Sequence, residues 1–242
     1  MKSVLSIAFL IFLLACQESE QQQPTQSEAI QDTTAVADMY TPLQDTLDAK
    51  KELFEARADA DKKRDYAAGI QSVAESGVLE GALNVGDTAV NFALTNALGD
   101  TLRLSDQLKK GPVILTWYRG GWCPYCNLTL QRLQKEIPAF ESAGAKMMAL
   151  TPEVPDSAMT TREKLDLEFE VLSDIDNKVG KTYGVVYQLT DAVAERYQIG
   201  FNLNMYNGND AAELPLAATY VIDQNGVIQY AFLDADYRNR AE

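Results

Sequence analysis

The chain has 242 residues, 46% of them apolar, which is enough for one well-buried domain with extensions and excludes disorder throughout. Its net charge of −14 argues against nucleic acid as a partner, because phosphate binding needs clustered Lys and Arg; the acidity reads as solubility. Histidine is absent, which removes Cys-His and Ser-His catalysis and any His-ligated metal, so an activated nucleophile must be tuned by backbone dipoles, Lys, Arg or burial.

Met1-Lys2 is followed by an apolar run from Val4 to Ala15, a basic start and a hydrophobic stretch too short to span a membrane comfortably. Its end, Leu13-Leu14-Ala15-Cys16, resembles a bacterial lipobox, in which the cysteine is lipidated and becomes the first mature residue. Residues 1–15 are therefore expected to be a lipoprotein signal peptide. Cys16 is the expected lipidation site, and the protein is expected to be anchored in the bacterial cell envelope, on the periplasmic or surface side. An ordinary signal peptide with an incidental Cys is the plainer alternative. Residues 16–41, rich in Gln, Glu, Ser and Thr, read as a flexible acidic and polar tether.

Residues 42–83 carry a helical pattern. Leu43, Leu47 and Phe54 share one face; Ile70, Val73 and Leu79 follow a charged stretch, and Gly69 and Gly77 are expected to divide the segment into two or three helices. From residue 84 to 242 strand and helix signals alternate, which predicts an α/β layer fold. Asn91 to Thr95 and Thr101 to Leu104 read as a hairpin, and Ser105 as the cap of a short helix. Pro112 to Tyr118 reads as a buried strand, and a long helix is predicted from Pro124 to Ser142, bent at Pro138. Strands at Ala145–Leu150 and Phe169–Leu172 flank a helix beginning at Asp156 or Ser157 and ending near Leu165, and a short helix follows at Asp176–Tyr183. Residues 184–214 read as a less regular insertion. Thr219–Asp223 and Val227–Phe232 are joined by Gln224-Asn225-Gly226, a strong hairpin signal. The chain stops soon afterwards, so either the N-terminal helices cover the last strand or the C-terminus is truncated.

The run Trp122-Cys123-Pro124-Tyr125-Cys126 falls between the buried strand and the long helix, after a Gly120-Gly121 turn. Cysteines at a helix N-terminus meet unpaired amides and the positive end of the macrodipole, which favours thiolate. Pro124 suits the first helical turn. Spacing of three residues brings the sulfurs together across one turn, so a disulfide can open and close without refolding. A purely structural bridge over so small a loop would constrain the unfolded chain little. Structural zinc needs about four ligands, and copper or haem usually demands a nearby His, whereas Asn127 follows Cys126. The pair reads as a redox-active dithiol, with no metal and no cofactor expected. Arg119 is the nearest cation in sequence and the expected support for the thiolate.

From about Val85 to Arg240 the chain resembles the AhpC/TSA peroxiredoxin-like family of the thioredoxin superfamily. The matching stretches are Gly86 to Phe92, Tyr118 to Asn127, Leu172-Ser173-Asp174 with Val179 to Val185, and Ala218 to Asp223. The resemblance implies a thioredoxin-like α/β fold, a central mixed sheet flanked by helices, here with an N-terminal helical extension. It implies a thiol-dependent peroxidase that reduces hydroperoxides through a dithiol–disulfide cycle and is regenerated by an external thioredoxin-like thiol reductant. The alternative is a thioredoxin- or TlpA-like thiol–disulfide oxidoreductase acting on protein disulfides. Two departures stand out. Peroxiredoxins carry Pro-x-x-x-Thr/Ser-x-x-Cys; in that register Cys126 is the attacking sulfur, Arg119 takes the Pro position and Cys123 the Thr position. In the thioredoxin register Cys123 attacks and Cys126 resolves. The thioredoxin cis-proline position holds Ala217, where a trans peptide or shifted turn is expected. Trp122, Pro124, Thr116 and Ala217 are candidate supporting residues.

Overall fold

A computed structural model describes residues 42–96 and 98–242. The expected signal peptide, Cys16 and the tether lie outside the described residues. Three helices come first: α1 (Leu43–Arg57), α2 (Ala60–Glu75) and α3 (Val78–Gly81). Asp59 starts α2 by accepting the Lys62 amide at 2.7 Å. Gly77, at φ +79°, makes the left-handed turn into α3. Gly69 does not divide the segment as expected. It lies inside α2, and a β-carbon there would come within 2.9 Å of Val193, so its small size serves close helix packing.

Strands β1 (Ala93–Asn96) and β2 (Thr101–Arg103) form the expected hairpin. Helix α4 (Leu104–Leu108) follows directly. Ser105 is not its cap: the Asn91 side chain accepts the Ser105 amide at 2.9 Å, a capping acceptor supplied from the other side of the β1–β2 hairpin. Then come β3 (Val113–Trp117), α5 (Pro124–Ser142), β4 (Lys146–Thr151), α6 (Pro155–Lys164) and β5 (Glu170–Ser173). Pro138 lies inside α5 without dividing it. A short 3-10 turn at Ile175–Asn177 leads into α7 (Lys178–Thr182).

Residues 184–214 are more regular than expected. They contain β6 (Val186–Gln188), α8 (Asp191–Phe201), α9 (Leu203–Asn207) and β7 (Glu213–Pro215), with β6 and β7 paired as a small antiparallel sheet. Three-residue strands are too short to show alternation. The end of α8 is set by Asn202 at φ +60°, not by Gly or Pro. The last strands are β8 (Thr219–Ile222) and β9 (Ile228–Phe232), turned at Gly226.

Among the described residues seven strands form a mixed sheet in the order β2-β1-β5-β4-β3-β8-β9. β3, β4 and β5 run parallel; β8 runs antiparallel to β3. Every residue of β3 is buried, as a central strand covered on both faces requires. Alternation sends Val113, Leu115 and Trp117 into one core, with Tyr183 and Tyr220, and Ile114 into the other. That second core holds Cys123, Cys126 and Leu130, and Leu43 and Leu47 of α1 complete it. The dithiol thus sits beyond the C-terminal end of β3, where a parallel sheet gathers its loops.

Candidate active site

The chain leaves β3 through Tyr118 and Arg119, both buried, and turns at Gly120. Gly120 has φ +151°, and a β-carbon there would meet the Trp122 indole nitrogen at 2.2 Å. Only glycine lets that ring fold across the backbone. A β-carbon on Gly121 would come within 2.0 Å of the Thr161 hydroxyl, so this turn is pressed onto α6. The Cys123 amide donates to the Gly120 carbonyl at 3.0 Å, and the Asn127 side chain donates to the Gly121 carbonyl at 2.9 Å. Cys123 is the N-cap residue of α5 and Pro124 its first helical residue, as the spacing predicts.

Both cysteines are present as thiols, each only 1% exposed. They are not equivalent. Cys123 borders a cleft of about 430 Å³; Cys126 is not among the residues lining it. The Arg119 Nη1 stands 3.9 Å from the Cys123 sulfur, and its Nη2 donates to the Tyr197 hydroxyl at 2.6 Å. Aromatic rings hold this guanidinium in place: its carbon lies 3.9 Å from the Tyr237 centroid, 5.1 Å from Trp122 and 5.3 Å from Tyr197. From the other side Arg240 is also buried, and its Nη2 lies 3.5 Å from the Cys126 sulfur. Its other nitrogen donates to the Tyr237 and Asn239 carbonyls.

These surroundings split the two thiols. Burial works against ionising Cys123, but a hydrogen bond from Cys126 and the charges of Arg119 and Arg240 outweigh it and bring Cys123 down to about 5. Cys126 moves the opposite way, raised by burial and by the hydrogen bond and charge of Cys123. The reduced pair therefore carries one negative charge, on the sulfur that faces the cleft.

Three site residues escaped the sequence reading. Glu153, just past β4, is fully buried; its Oε1 accepts the Gly121 amide at 3.0 Å, and the Thr151 and Thr161 hydroxyls lie 3.5 Å from Oε2. Burial raises its carboxyl to about 7, against the pull of the Gly121 amide. An acid placed after an apolar strand was its only sequence signal. Tyr197 and Arg240 had none. Of the residues named from sequence, Trp122 stacks on Phe201 at 4.3 Å and lines the cleft with Pro124. The Thr116 hydroxyl is engaged in the sheet, 2.8 Å from that of Thr219 and 3.2 Å from the Ala218 carbonyl, rather than at either sulfur. Ala217 is buried, and no cis peptide occurs among the described residues. Among those residues no cluster of three or more Cys, Asp or Glu is placed to hold a metal ion.

Residues 85–231 match the AhpC/TSA family. Among curated relatives, the chloroplastic peroxiredoxin Q of Triticum aestivum is 28% identical over 159 residues, covering 66% of this chain and 63% of that protein. The thiol-disulfide oxidoreductase ResA of Geobacillus kaustophilus is 28% identical over 148 residues, covering 61% of this chain and 68% of that one. The chain spans 60–63% of the length of the first peroxiredoxin Q relatives it matches. The crystal structure of peroxidoxin BcpB from Mycobacterium tuberculosis is similar with a TM-score of 0.52 at 21% identity, over 64% of this chain and 91% of that one, which shows a shared thioredoxin-like fold. With 85–231 matched and the dithiol seated at the strand-to-helix junction of that fold, the chain belongs to the AhpC/TSA family.

Proposed function

We propose that the protein is a thiol-dependent peroxidase in which Cys123 attacks and Cys126 resolves. One observation carries this reading. Cys123 is acidified and borders a cleft, yet is only 1% exposed. A small hydroperoxide can reach such a sulfur; a folded protein's disulfide meets it only after the site opens.

The Cys123 thiolate attacks the terminal oxygen of the hydroperoxide. The O–O bond breaks, the alkoxide leaves and takes up a proton as the alcohol, and Cys123 becomes a sulfenic acid. Its negative charge is then gone, and with it one cause that held Cys126 protonated. Cys126 loses its proton, its sulfur displaces hydroxide from the sulfenic acid, and the disulfide forms with release of water. An external dithiol, of the kind a thioredoxin-like protein supplies, reduces the disulfide by exchange and returns two thiols. Arg119 holds charge at the attacking sulfur, and Arg240 at the resolving one. Stopped-flow mixing of reduced protein with hydrogen peroxide tests the reading. Thiol loss no faster than for free cysteine would remove it.

The second reading, thiol–disulfide oxidoreductase, is favoured by the order of the two thiols, with the first acidic and the second raised, and by the similarity to ResA. Insulin-disulfide reduction measures it directly. Anchoring through Cys16 in the cell envelope is also part of the proposal, supported by the apolar run and Leu13-Leu14-Ala15-Cys16. Cys16→Ser is expected to release the protein from membranes; unchanged retention would count against lipidation.

A further inference from the structure

Residues 233–242 leave β9 without regular structure and pack against the dithiol site. They fall outside residues 85–231, as does α1, and the two are tied together. The Glu242 side chain accepts the Gln44 amide at 2.6 Å, and Lys51 donates to the Asn239 side-chain oxygen at 2.8 Å. In sequence between β9 and these ties, Tyr237 lies on the Arg119 guanidinium at 3.9 Å and edge-on to Tyr125 at 5.7 Å. Arg240 then reaches the Cys126 sulfur. It is 5% exposed, and among the described residues it bonds to two carbonyls and that sulfur but to no carboxylate. The carbonyls are those of Tyr237 and Asn239, so these bonds travel with the segment. Arg119, equally buried, has no carboxylate partner either; both guanidinium charges favour the thiolate of Cys123. Two buried cations thus share one anion, and that anion exists only in the reduced protein.

Disulfide formation removes the charge, because the thiolate sulfur ends neutral and bonded to sulfur. A buried cation left without a counter-charge is costly. Arg119 keeps compensation from the Trp122 and Tyr197 rings and from the Tyr197 hydroxyl. No ring lies over Arg240 among the described residues. Its segment is otherwise held by the Tyr237 contacts and by two hydrogen bonds to α1, one exposed and one half-buried. We propose that residues 233–242 form a redox-controlled strap: the thiolate charge holds Arg240 and closes the strap over the dithiol, and formation of the Cys123–Cys126 disulfide releases it so that an external protein dithiol can reach the bond. Reduction by exchange requires a thiolate to attack a disulfide sulfur directly, and two sulfurs each 1% exposed give a protein thiol no approach while the strap is closed. The strap goes beyond the peroxidase reading, since it needs only a dithiol–disulfide cycle, which the oxidoreductase reading shares.

Hydrogen exchange over residues 233–242, read by mass spectrometry, tests the strap at neutral pH. The dithiol form is compared with the disulfide form made by diamide, so no peroxide is involved. The disulfide form is expected to exchange there about tenfold faster or more. In Arg240→Met the difference between the two forms should vanish, because no cation at Cys126 is left uncompensated. The double variant Cys123→Ser, Cys126→Ser can carry neither thiolate nor disulfide, and its strap should exchange as fast as that of the oxidised wild type. Equal exchange in the two wild-type forms would overturn the proposal. Faster exchange confined to residues 118–127 would overturn it too, and would give the opening to the start of α5. A strap in the double variant as slow as in the reduced wild type, or a difference that survives in Arg240→Met, would show that charge does not hold the strap and would equally overturn the proposal. None of these outcomes depends on peroxide consumption, so the peroxidase reading is decided separately by the stopped-flow experiment.

Discussion

Arg240 and Cys126 are separated by 114 positions in the chain, and the guanidinium of the first lies 3.5 Å from the sulfur of the second. The contact puts a permanent cation on the thiol that is harder to ionise. Resolution of a sulfenic acid needs that thiol to become a thiolate, and a cation within hydrogen-bond reach favours the charged form. Arg240→Gln is expected to lengthen the lifetime of the Cys123 sulfenic acid by about tenfold, the factor corresponding to one hydrogen bond to a charged group. Trapping with dimedone at timed intervals after a peroxide pulse, read by mass spectrometry, measures it. An unchanged lifetime would mean that Arg240 only packs the C-terminal segment.

The acidity of Cys123 gives a pH profile with a definite sign. A thiol brought down to about 5 is protonated and unreactive below that pH and is thiolate above it. Alkylation of the reduced protein by iodoacetamide should therefore rise through about pH 5 and level off, whereas an ordinary thiol rises near about 8.5. Arg119→Met removes a cation 3.9 Å from the sulfur and should move the midpoint upward by on the order of one pH unit or more. A wild-type midpoint near that of free cysteine would remove the thiolate from the mechanism.

What could be read in the sequence divides by distance along the chain. The dithiol, Pro124 at the first turn of α5, the buried β3 and the Gly226 hairpin are all written within a few consecutive residues. Local pattern suffices for them. Tyr197, on α8, reaches Arg119 from 78 positions away, and Glu153, just past β4, reaches Gly121 from 32, both through tertiary packing. Neither spacing nor composition encodes that. Gly69 shows the same boundary from the other side. As a lone symbol it reads as a helix breaker, and only the approach of Val193 reveals a packing site. The N-terminal helices were legible as helices, but not as a wall of the cleft.

Glu153 adds a stability effect that opposes intuition for a buried, hydrogen-bonded acid. Its folded value, about 7, lies above its ordinary 4.5. Between those values the folded protein holds a proton that the unfolded chain has lost, so stability falls as pH rises across this window. Glu153→Gln keeps an oxygen for the Gly121 amide and removes the titration. The disulfide form should be used, so that neither thiol titrates. The variant's thermal midpoint is then expected to gain on the wild type as pH goes from about 4.5 to 7, and to hold that gain above. A difference between the two proteins that does not change with pH would show that Glu153 is not titrating in the folded state.

The division of labour between the sulfurs decides which of two registers applies. If the family's peroxidatic register governed, Cys126 would attack; yet Cys126 does not border the cleft, and its thiol is raised by burial and by its neighbour. Cys123 borders the cleft and carries the charge. Cys123→Ser is therefore expected to bring peroxide consumption down to the uncatalysed background. Cys126→Ser should retain the first, rapid attack, consume one equivalent of peroxide per chain and stop at a sulfenic acid that dimedone traps on Cys123. The serine hydroxyl can still donate to the Cys123 sulfur in place of the Cys126 thiol, and the charges of Arg119 and Arg240 remain, so that first step should stay fast. The opposite pattern, with rapid single turnover in Cys123→Ser and none in Cys126→Ser, would place the chemistry in the peroxiredoxin register. It would also require the helix start to open before peroxide could enter, since in the closed fold that sulfur is walled off by α5, Arg240 and the core it shares with Leu130.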